Sequence, residues 1–296
     1  MKRHSLLFKI LLLLSLLLLT ACSSKTPTAS HASQLSDSIA LAYDPSDGRL
    51  LKADRNGLSR WRASGEWESV NTPQTAGLSG VAVNPDQLGM IYISGPGLGV
   101  LRSDDSGNNW QALNTSLPSL DVTALALHSF RRQTLYVWLK DIGIYRTEDS
   151  GAHWARMPDQ GPPDTDVRGL THSTLPGSMN TGWLYAATPS GAYLSMDCFG
   201  GWRALGARDA PSQKVNSVAI DPITPQNVYL AGPDGLFRSA DGGLTWEAIG
   251  VQVSSQPLAL TLDPRHPARL FALFANGTLL RSEDSGTTWV PLEVGS

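Results

Sequence analysis

The sequence contains few cysteines, few charged residues and few histidines. Its 296 residues include two cysteines, too few to build a disulfide framework or a cysteine-based metal site within one chain. Charged residues make up 17% and hydrophobic residues 41%, a composition typical of a packed globular domain and not of a disordered one. The sequence predicts no cofactor and no metal site, and it leaves metal binding open only to loops that it does not place. Four of the six histidines are scattered, in no metal-binding spacing, at His128, His153, His172 and His266.

Helical periodicity is also missing beyond residue 21, which argues against helical repeats. No glycine-rich loop between a strand and a helix indicates phosphate binding. Loss of residues 1–21 would leave 20 basic and 26 acidic residues, a net charge of −6. A mildly acidic body gives no support to nucleic-acid binding.

A long hydrophobic run occurs only near the N-terminus. Basic residues at Lys2, Arg3 and Lys9 precede a leucine run from Leu11 to Leu19, which is too short for a comfortable membrane span. Residues 1–21 are therefore predicted to be an export signal.

The segment Leu19-Thr20-Ala21-Cys22 resembles the bacterial lipobox. That resemblance implies cleavage before Cys22, lipidation of Cys22 and an outer-membrane anchor, or an anchor on another extracytoplasmic membrane face. Residues 22–36 then carry the lipidated cysteine and a polar tether.

One nine-residue string recurs along the rest of the chain. It appears as RSDDSGNNW, RTEDSGAHW, RSADGGLTW and RSEDSGTTW, with an altered copy, LSMDCFGGW, and a shortened one, RWRASGEW. The terminal tryptophans are 43, 44, 48, 44 and 43 residues apart. A fixed period of this size predicts an array of like units.

The residue types in this string, here called the box, suit a hairpin turn. The aspartate can accept backbone hydrogen bonds, the glycine tolerates a positive φ, and the tryptophan offers apolar surface to a neighbouring unit. An aliphatic residue follows each tryptophan three positions on. Such boxes resemble the BNR (Asp-box) repeats of sialidase-like β-propellers. The box positions are Asp105, Gly107, Trp110, Asp149, Gly151, Trp154, Asp197, Trp202, Asp241, Gly243, Trp246, Asp284, Gly286 and Trp289.

Each unit divides into four short strands, of which the second is rich in Tyr, Val, Ile and Leu and the fourth is predicted to begin at the box tryptophan. Four strands at this period are typical of a propeller blade. The units lack the Gly-His and Trp-Asp marks of WD40 repeats. We predict an all-β fold over residues 37–296, a single propeller of six four-stranded blades, with seven blades as the alternative. No strand is visibly exchanged between the termini, so closure is expected from packing of the first blade against the last.

Turns on the side of the propeller away from the boxes are the candidate ligand face. Propellers commonly bind ligands at such a face, although these residues can equally be ordinary solvated turn residues. The candidates are Asp54, Arg55, Lys140, Asp141, Arg208, Asp209 and Asp234, with Asp164 and Asp166 on the same side.

The catalytic residues of sialidases have no clear counterpart, so no catalytic residue is predicted. Sialidases use an arginine triad with one Arg-Ile-Pro motif, and the nearest string is Arg156-Met157-Pro158. The arginines at 102, 146, 238 and 281 recur once per unit, which favours a structural role. Xyloglucanase-type Asp-box enzymes work across a cleft between two propellers, whereas this chain has length for one.

Unit four departs from the others, because Asp197-Cys198-Phe199 stands where Asp-Ser-Gly is expected. The departure is either a decayed box or a partner-contacting or redox-sensitive edge at Cys198.

The regular single-propeller pattern is similar to that of photosystem II assembly-factor-type repeat proteins, which are non-catalytic scaffolds. The resemblance implies a non-catalytic scaffold that binds a protein, and the lipobox implies a lipid anchor in the bacterial envelope. We therefore expect a monomeric, lipid-anchored propeller that binds an envelope protein and no nucleic acid. The alternative is a carbohydrate-active enzyme, a glycoside hydrolase, or a glycan-binding propeller.

Overall fold

The computed structural model describes residues 39–73, 77–158, 161–174, 182–196, 201–206, 214–250 and 254–292. These residues form six sheets of four antiparallel strands, arranged as a six-bladed β-propeller, as predicted. In these ranges no helix is long and apolar enough to cross a membrane. The predictions for residues 1–36, including Cys22, and for Asp197, Cys198, Phe199, Arg208 and Asp209 fall outside the described residues.

Blades 1 to 3 follow one another along the chain, each running from the innermost to the outermost strand. Blade 1 contains β1 (Ala40–Asp44), β2 (Arg49–Asp54), β3 (Gly57–Trp61) and β4 (Trp67–Val70). Blade 2 contains β5 (Gly80–Val83), β6 (Ile91–Gly95), β7 (Gly99–Ser103) and β8 (Gln111–Ala112). Blade 3 contains β9 (Val122–Leu127), β10 (Leu135–Leu139), β11 (Gly143–Thr147) and β12 (Ala155–Arg156).

Blades 4 to 6 repeat the arrangement. Blade 4 contains β13 (Gly169–Ser173), β14 (Trp183–Thr188), β15 (Gly191–Ser195) and β16 (Trp202–Ala204). Blade 5 contains β17 (Ser217–Ile220), β18 (Val228–Gly232), β19 (Gly235–Ser239) and β20 (Glu247–Ala248). Blade 6 contains β21 (Pro257–Asp263), β22 (His266–Phe274), β23 (Leu279–Ser282) and β24 (Val290–Pro291).

In blades 1 to 5 the second strand is the most buried. Every residue of β6, β10 and β18 is buried, because neighbouring blades cover both faces of the sheet. A strand covered on both faces is apolar throughout and does not alternate with polar residues. This is why the Tyr-, Val- and Leu-rich strings are recognisable in the sequence.

The outermost strand of four blades is only two residues long and begins one residue after the box tryptophan. The sequence analysis placed its start at the tryptophan itself. In blades 2, 3, 5 and 6 the tryptophan completes the box turn, and its ring packs against the preceding blade.

The seams between blades are built from the box of one blade and the aliphatic residue of the blade before it. Trp154 shares a hydrophobic cluster with Leu113, and its indole Nε1 donates a hydrogen bond to the Leu113 carbonyl at 2.7 Å. The equivalent pairs share clusters at all six seams: Val70 with Trp110, Leu113 with Trp154, Met157 with Trp202, Leu205 with Trp246, Ile249 with Trp289, and Leu292 with Trp67.

The ring closes by packing of blade 6 against blade 1. Leu258, Phe271 and Leu273 share a buried cluster with Leu41 and Leu50, and the Tyr43 and Phe271 rings stack with centroids 5.2 Å apart. Each sheet contains only consecutive strands, so no strand is exchanged between blades. The expected mode of closure is therefore confirmed.

Hydroxyl groups at the start of the inner strands link neighbouring blades around a narrow central channel of about 230 Å³. Ser79 Oγ donates to the Val122 carbonyl at 2.7 Å, and Thr123 Oγ1 donates to the Val167 carbonyl at 2.8 Å. Ser217 Oγ makes the same kind of bond to the Leu260 carbonyl at 3.2 Å. The sequence analysis did not identify these links.

Candidate functional site

The two ends of the blades define two faces of the propeller. The box face carries the boxes and the loops that join the first and second strands of each blade. These loops and the boxes hydrogen-bond to one another. Ser106 N donates to the Gly89 carbonyl and Ser150 N to the Gln133 carbonyl, both at 2.8 Å. The turn face carries the turns that join the second and third strands of each blade, together with the links between blades. This division is the one expected from the sequence.

The box of blade 3 shows how the aspartate closes the turn. Thr147 Oγ1 donates to Asp149 Oδ1 at 2.7 Å and accepts a hydrogen bond from Gly151 N at 2.9 Å. His153 N donates to the same carboxylate oxygen at 2.9 Å. Ser150 and Gly151 have φ values of 59° and 91°. The positive φ at the glycine was expected, whereas the one at the preceding serine was not.

The boxes of blades 2, 5 and 6 repeat this hydrogen bonding, and the bonds keep the carboxylates ionised. The backbone N–H of Thr288 holds the pKa of Asp284 at about 2, and that of His153 lowers the pKa of Asp149. The Asn109 side chain lowers the pKa of Asp105. Burial would raise the pKa of Asp241, but hydrogen bonds from Ser239 and Thr245 outweigh it and lower it. Carboxylates held in this way are poor proton donors near neutral pH.

On the box face, the loops between the first and second strands of the blades are also closed by side-chain acceptors. Asp221 Oδ1 accepts hydrogen bonds from Ile223 N and Thr224 N, both at 2.8 Å. In blade 3 His128 takes this role, because its Nδ1 accepts from Phe130 N at 3.3 Å. The ring of His128 stacks on that of His172 with centroids 3.8 Å apart. Both histidines are buried in the structure, so neither is a surface residue.

The repeated arginines each make an ion pair within their own blade. Arg102 pairs with Asp104 at 3.0 Å, and Arg146 pairs with Glu148 at 3.1 Å. The corresponding pairs in blades 5 and 6 are Arg238 with Glu247 at 3.6 Å and Arg281 with Glu283 at 3.2 Å. Because these partners are local, the arginines are not gathered around one substrate carboxylate.

The candidate residues of the turn face differ in exposure. Asp54 is buried, lies 2.9 Å from Lys52 Nζ and accepts a hydrogen bond from Asn56 N at 2.7 Å, so it closes its own turn. Arg55, Lys140, Asp141 and Asp234 are exposed at the tips of their turns. Asp141 has a φ of 59°.

Lys140 and Asp141 line a pocket of about 500 Å³ formed by blades 2, 3 and 4. Two further aspartates line it: Asp121 accepts a hydrogen bond from Gly97 N at 3.0 Å, and Asp166 pairs with Arg168 at 2.6 Å. Within the described ranges, no hydrogen bond or ion pair engages the side chains of Lys140 and Asp141. The volume lies in the range of small-ligand pockets.

Neither the lining of this pocket nor the rest of the described chain contains a metal centre. No group of three or more His, Cys, Asp or Glu side chains there is close enough to bind a metal ion. The carboxylates of Asp141 and Asp234, which have no described partner, are available for hydrogen bonds and ion pairs with a bound molecule.

No family model matches the sequence, and no curated protein matches it. Solved structures do match. The GH74 xyloglucanase from Xanthomonas campestris is 20% identical with a TM-score of 0.58, over 86% of this chain and 45% of that chain. YCF48 with a bound D1 peptide is 18% identical with a TM-score of 0.52, over 86% of this chain and 79% of that chain.

The extracellular domain of BT4673 from B. thetaiotaomicron is 17% identical with a TM-score of 0.54, over 85% of this chain and 32% of that chain. This chain spans only 32% to 53% of the GH74 enzymes that it matches. At these identities the comparisons establish the propeller fold alone.

Proposed function

We propose that this chain is a non-catalytic lipoprotein of the bacterial envelope whose propeller binds a protein partner through the turn face. The observation that carries the proposal is the pair of exposed, unengaged charges at Lys140 and Asp141 in a pocket of about 500 Å³. A charged side chain without an internal partner costs the fold little to replace, so its identity is free to serve recognition.

The character of this pocket suits a protein surface. It places an ammonium group and a carboxylate side by side, with Pro96 and two threonines beside them. Protein interfaces use such mixed charges to fix orientation and to exclude wrong partners.

The comparisons support the proposal at the level of architecture. YCF48 is a propeller that has been seen with a peptide bound, and this chain covers 79% of it. The BT4673 domain is extracellular, which accords with an extracytoplasmic location. The lipid anchor at Cys22 rests on the sequence of residues 19–22.

The partner hypothesis is tested by quantitative capture of envelope proteins on the full chain. Lys140→Ala and Asp141→Asn should each lower the recovery of a specific partner, and the purified partner should then bind these variants more weakly. Asp104→Asn and Arg131→Ala, both exposed on the box face, are the matched controls and should bind normally. Equal capture by all four variants would remove the site from the pocket at Lys140 and Asp141.

The anchor is tested separately by a Cys22→Ser variant. Wild-type protein should incorporate a labelled fatty acid and sediment with membranes, because acyl chains buried in the bilayer contribute roughly 0.8 kcal/mol per CH₂. The variant should incorporate none. Fatty-acid labelling that survives the substitution would show that Cys22 is not the lipidated residue.

A carbohydrate-active role is the second candidate. The observation that favours it is that Asp121, Asp141 and Asp166 line one pocket, because glycoside hydrolysis uses paired carboxylates at a defined separation. Assays on xyloglucan and sialosides, with a glycan-binding screen, separate the two proposals. Turnover of xyloglucan or a sialoside that is abolished by Asp141→Asn would support the carbohydrate-active role and contradict the scaffold proposal.

A further inference from the structure

The seam between blades 5 and 6 opens on the turn face as a second pocket of about 470 Å³. Its floor is apolar and consists of Leu236, Ile249 and Phe274, all buried members of the cluster that joins these blades. Pro233 and Pro257 form part of its walls. We call this pocket the 5–6 groove.

Hydrogen bonds fix the walls of the groove. Ala275 N donates to the Gln256 carbonyl at 2.9 Å, and Asn276 N donates to Ser255 Oγ at 3.0 Å. On the other side Ile249 N donates to the Leu236 carbonyl at 2.9 Å. These bonds hold Ile249, Ser255 and Gln256, which line the groove, in place.

Asp234 stands at the rim of the groove on a two-residue turn between Gly232 and Gly235, which pair directly. Its side chain is exposed. Across the parts of the chain that the structure describes, no ion pair or hydrogen bond engages its carboxylate. Among the described residues that line the groove, this carboxylate is the only ionisable side chain.

We infer that the 5–6 groove binds a lysine or arginine side chain of the protein partner. Such a side chain has an aliphatic stem that can cover the apolar floor and a cationic head that can reach the rim. An ion pair at the edge of an apolar groove is less screened by water than one on an open surface. This inference rests on the proposed function, since it identifies the chemistry of a partner for the turn face.

The shape of the groove discriminates against other groups. An acidic side chain would bring its charge against Asp234, where like charges repel. A purely apolar side chain would fill the floor but leave the rim carboxylate partly desolvated and unpaired. A basic side chain satisfies both the floor and the rim.

The inference is tested with a displayed library of random dodecapeptides, selected on the purified full chain and on an Asp234→Lys variant. Wild-type protein should enrich peptides with lysine or arginine, and Asp234→Lys should enrich aspartate or glutamate instead. Peptides selected on wild-type protein should bind Asp234→Lys roughly tenfold more weakly and Asp234→Asn about threefold more weakly. The matched control is Asp104→Lys, which makes the same charge change at an exposed position of the box face and should leave their binding unchanged.

A second variant tests the groove independently of its charge. A Cβ added at Gly250 would lie in open space, and Gly250 lines the groove, so Gly250→Leu should fold normally while it obstructs the floor. Binding of the selected peptides should fall by roughly tenfold. Unchanged binding to Gly250→Leu would show that the groove is not the site.

Two results would overturn the inference: selection on wild-type protein without basic enrichment, or selected peptides that bind Asp234→Lys equally well. A free polyamine is the rival ligand of the same chemistry. Spermidine binding that depends on Asp234 while no peptide is enriched would assign the groove to a small amine and not to a protein. Because these readouts need no envelope partner, they can fail while the capture experiment at Lys140 and Asp141 succeeds.

Discussion

The two faces of the propeller use the same residue types for opposite purposes. On the box face the Asp149 and Asp284 carboxylates each accept several hydrogen bonds and lie beside tryptophan-lined seams. On the turn face the Asp141 and Asp234 carboxylates have no described partner. Aspartate therefore closes the turn in the boxes of blades 2, 3, 5 and 6. On the turn face Asp54 also closes its turn, whereas Asp141 and Asp234 are available to a ligand.

The difference shows where the repeat constrains the sequence. The box recurs because its hydrogen bonds and its contact with the previous blade must be made at every seam. In the turns between the second and third strands of the blades, Arg55 and Lys140 contact the neighbouring links through backbone atoms, so their side chains can differ from blade to blade. Lys140 and Asp141 in blade 3 correspond to Pro233 and Asp234 in blade 5. The following substitutions should affect the two faces differently.

The largest effect is expected for Trp154→Ala on the box face. Trp154 is 5% exposed, packs in the seam between blades 2 and 3 and donates to the Leu113 carbonyl. Truncation of such a residue leaves a cavity and should lower the free energy of unfolding by about 3–5 kcal/mol. Chemical unfolding followed by tryptophan fluorescence and circular dichroism measures the loss. A loss below about 1 kcal/mol would mean that the seam does not depend on this ring.

A pair of glycine substitutions compares the faces with the same chemical change. Gly151 has a φ of 91°, and a Cβ there would lie 2.7 Å from the Leu113 Cβ. Gly250 on the turn face has open space around that position. Gly151→Ala should destabilise the protein by about 2–3 kcal/mol, whereas Gly250→Ala should change it by less than about 0.5 kcal/mol. Equal effects in thermal and chemical unfolding would contradict the distinction between the faces.

Acid should destabilise the box face selectively. The Thr288 backbone N–H holds the pKa of Asp284 at about 2, below the value of about 3.9 for an unfolded aspartate. A carboxyl whose pKa is lowered by folding stabilises the protein above the unfolded pKa, and this stability is lost as the pH falls toward about 2.

Asp284→Asn should therefore lower stability at pH 7 and flatten the dependence of the unfolding free energy on pH between about 4 and 2. Asp234→Asn removes an exposed carboxylate of the turn face that has no described partner, and it serves as the control. A parallel acid limb in wild-type and Asp284→Asn protein would show that the box hydrogen bonds do not contribute to acid stability.

The fold was predictable from the sequence because the box turn requires particular residue types at particular positions. Tryptophan, glycine and aspartate are each required by one contact or one backbone angle, and the same requirement returns at every seam. The buried second strands were predictable for a similar reason, since strands covered on both faces are apolar throughout. The start of the outer strand was misplaced by one residue in blades 2, 3, 5 and 6, because the tryptophan there is part of the box turn.

The site was predictable only in part. Lys140 and Asp141 were identified from their position in the turn between the second and third strands of blade 3. Asp121, which lies on the link from blade 2 to blade 3, was not identified. The ring brings these segments together, and no local pattern in the sequence records that contact. His128 was missed because its acceptor role comes from backbone N–H groups at its Nδ1. One clue was available: His128 occupies the slot that holds an Asp-Pro or Asn-Pro pair in other units.

The smallest effect on stability is expected for Lys140→Ala and Asp141→Asn on the turn face. Neither side chain has a described partner, and asparagine tolerates the φ of 59° at position 141 almost as well as aspartate does. Each variant should unfold within about 0.5 kcal/mol of wild-type protein, while partner binding falls. Unfolding free energies measured beside partner affinities give both quantities for the same preparations. A loss of stability as large as that of Gly151→Ala would show that the turn face, like the box face, is built to hold the blades together.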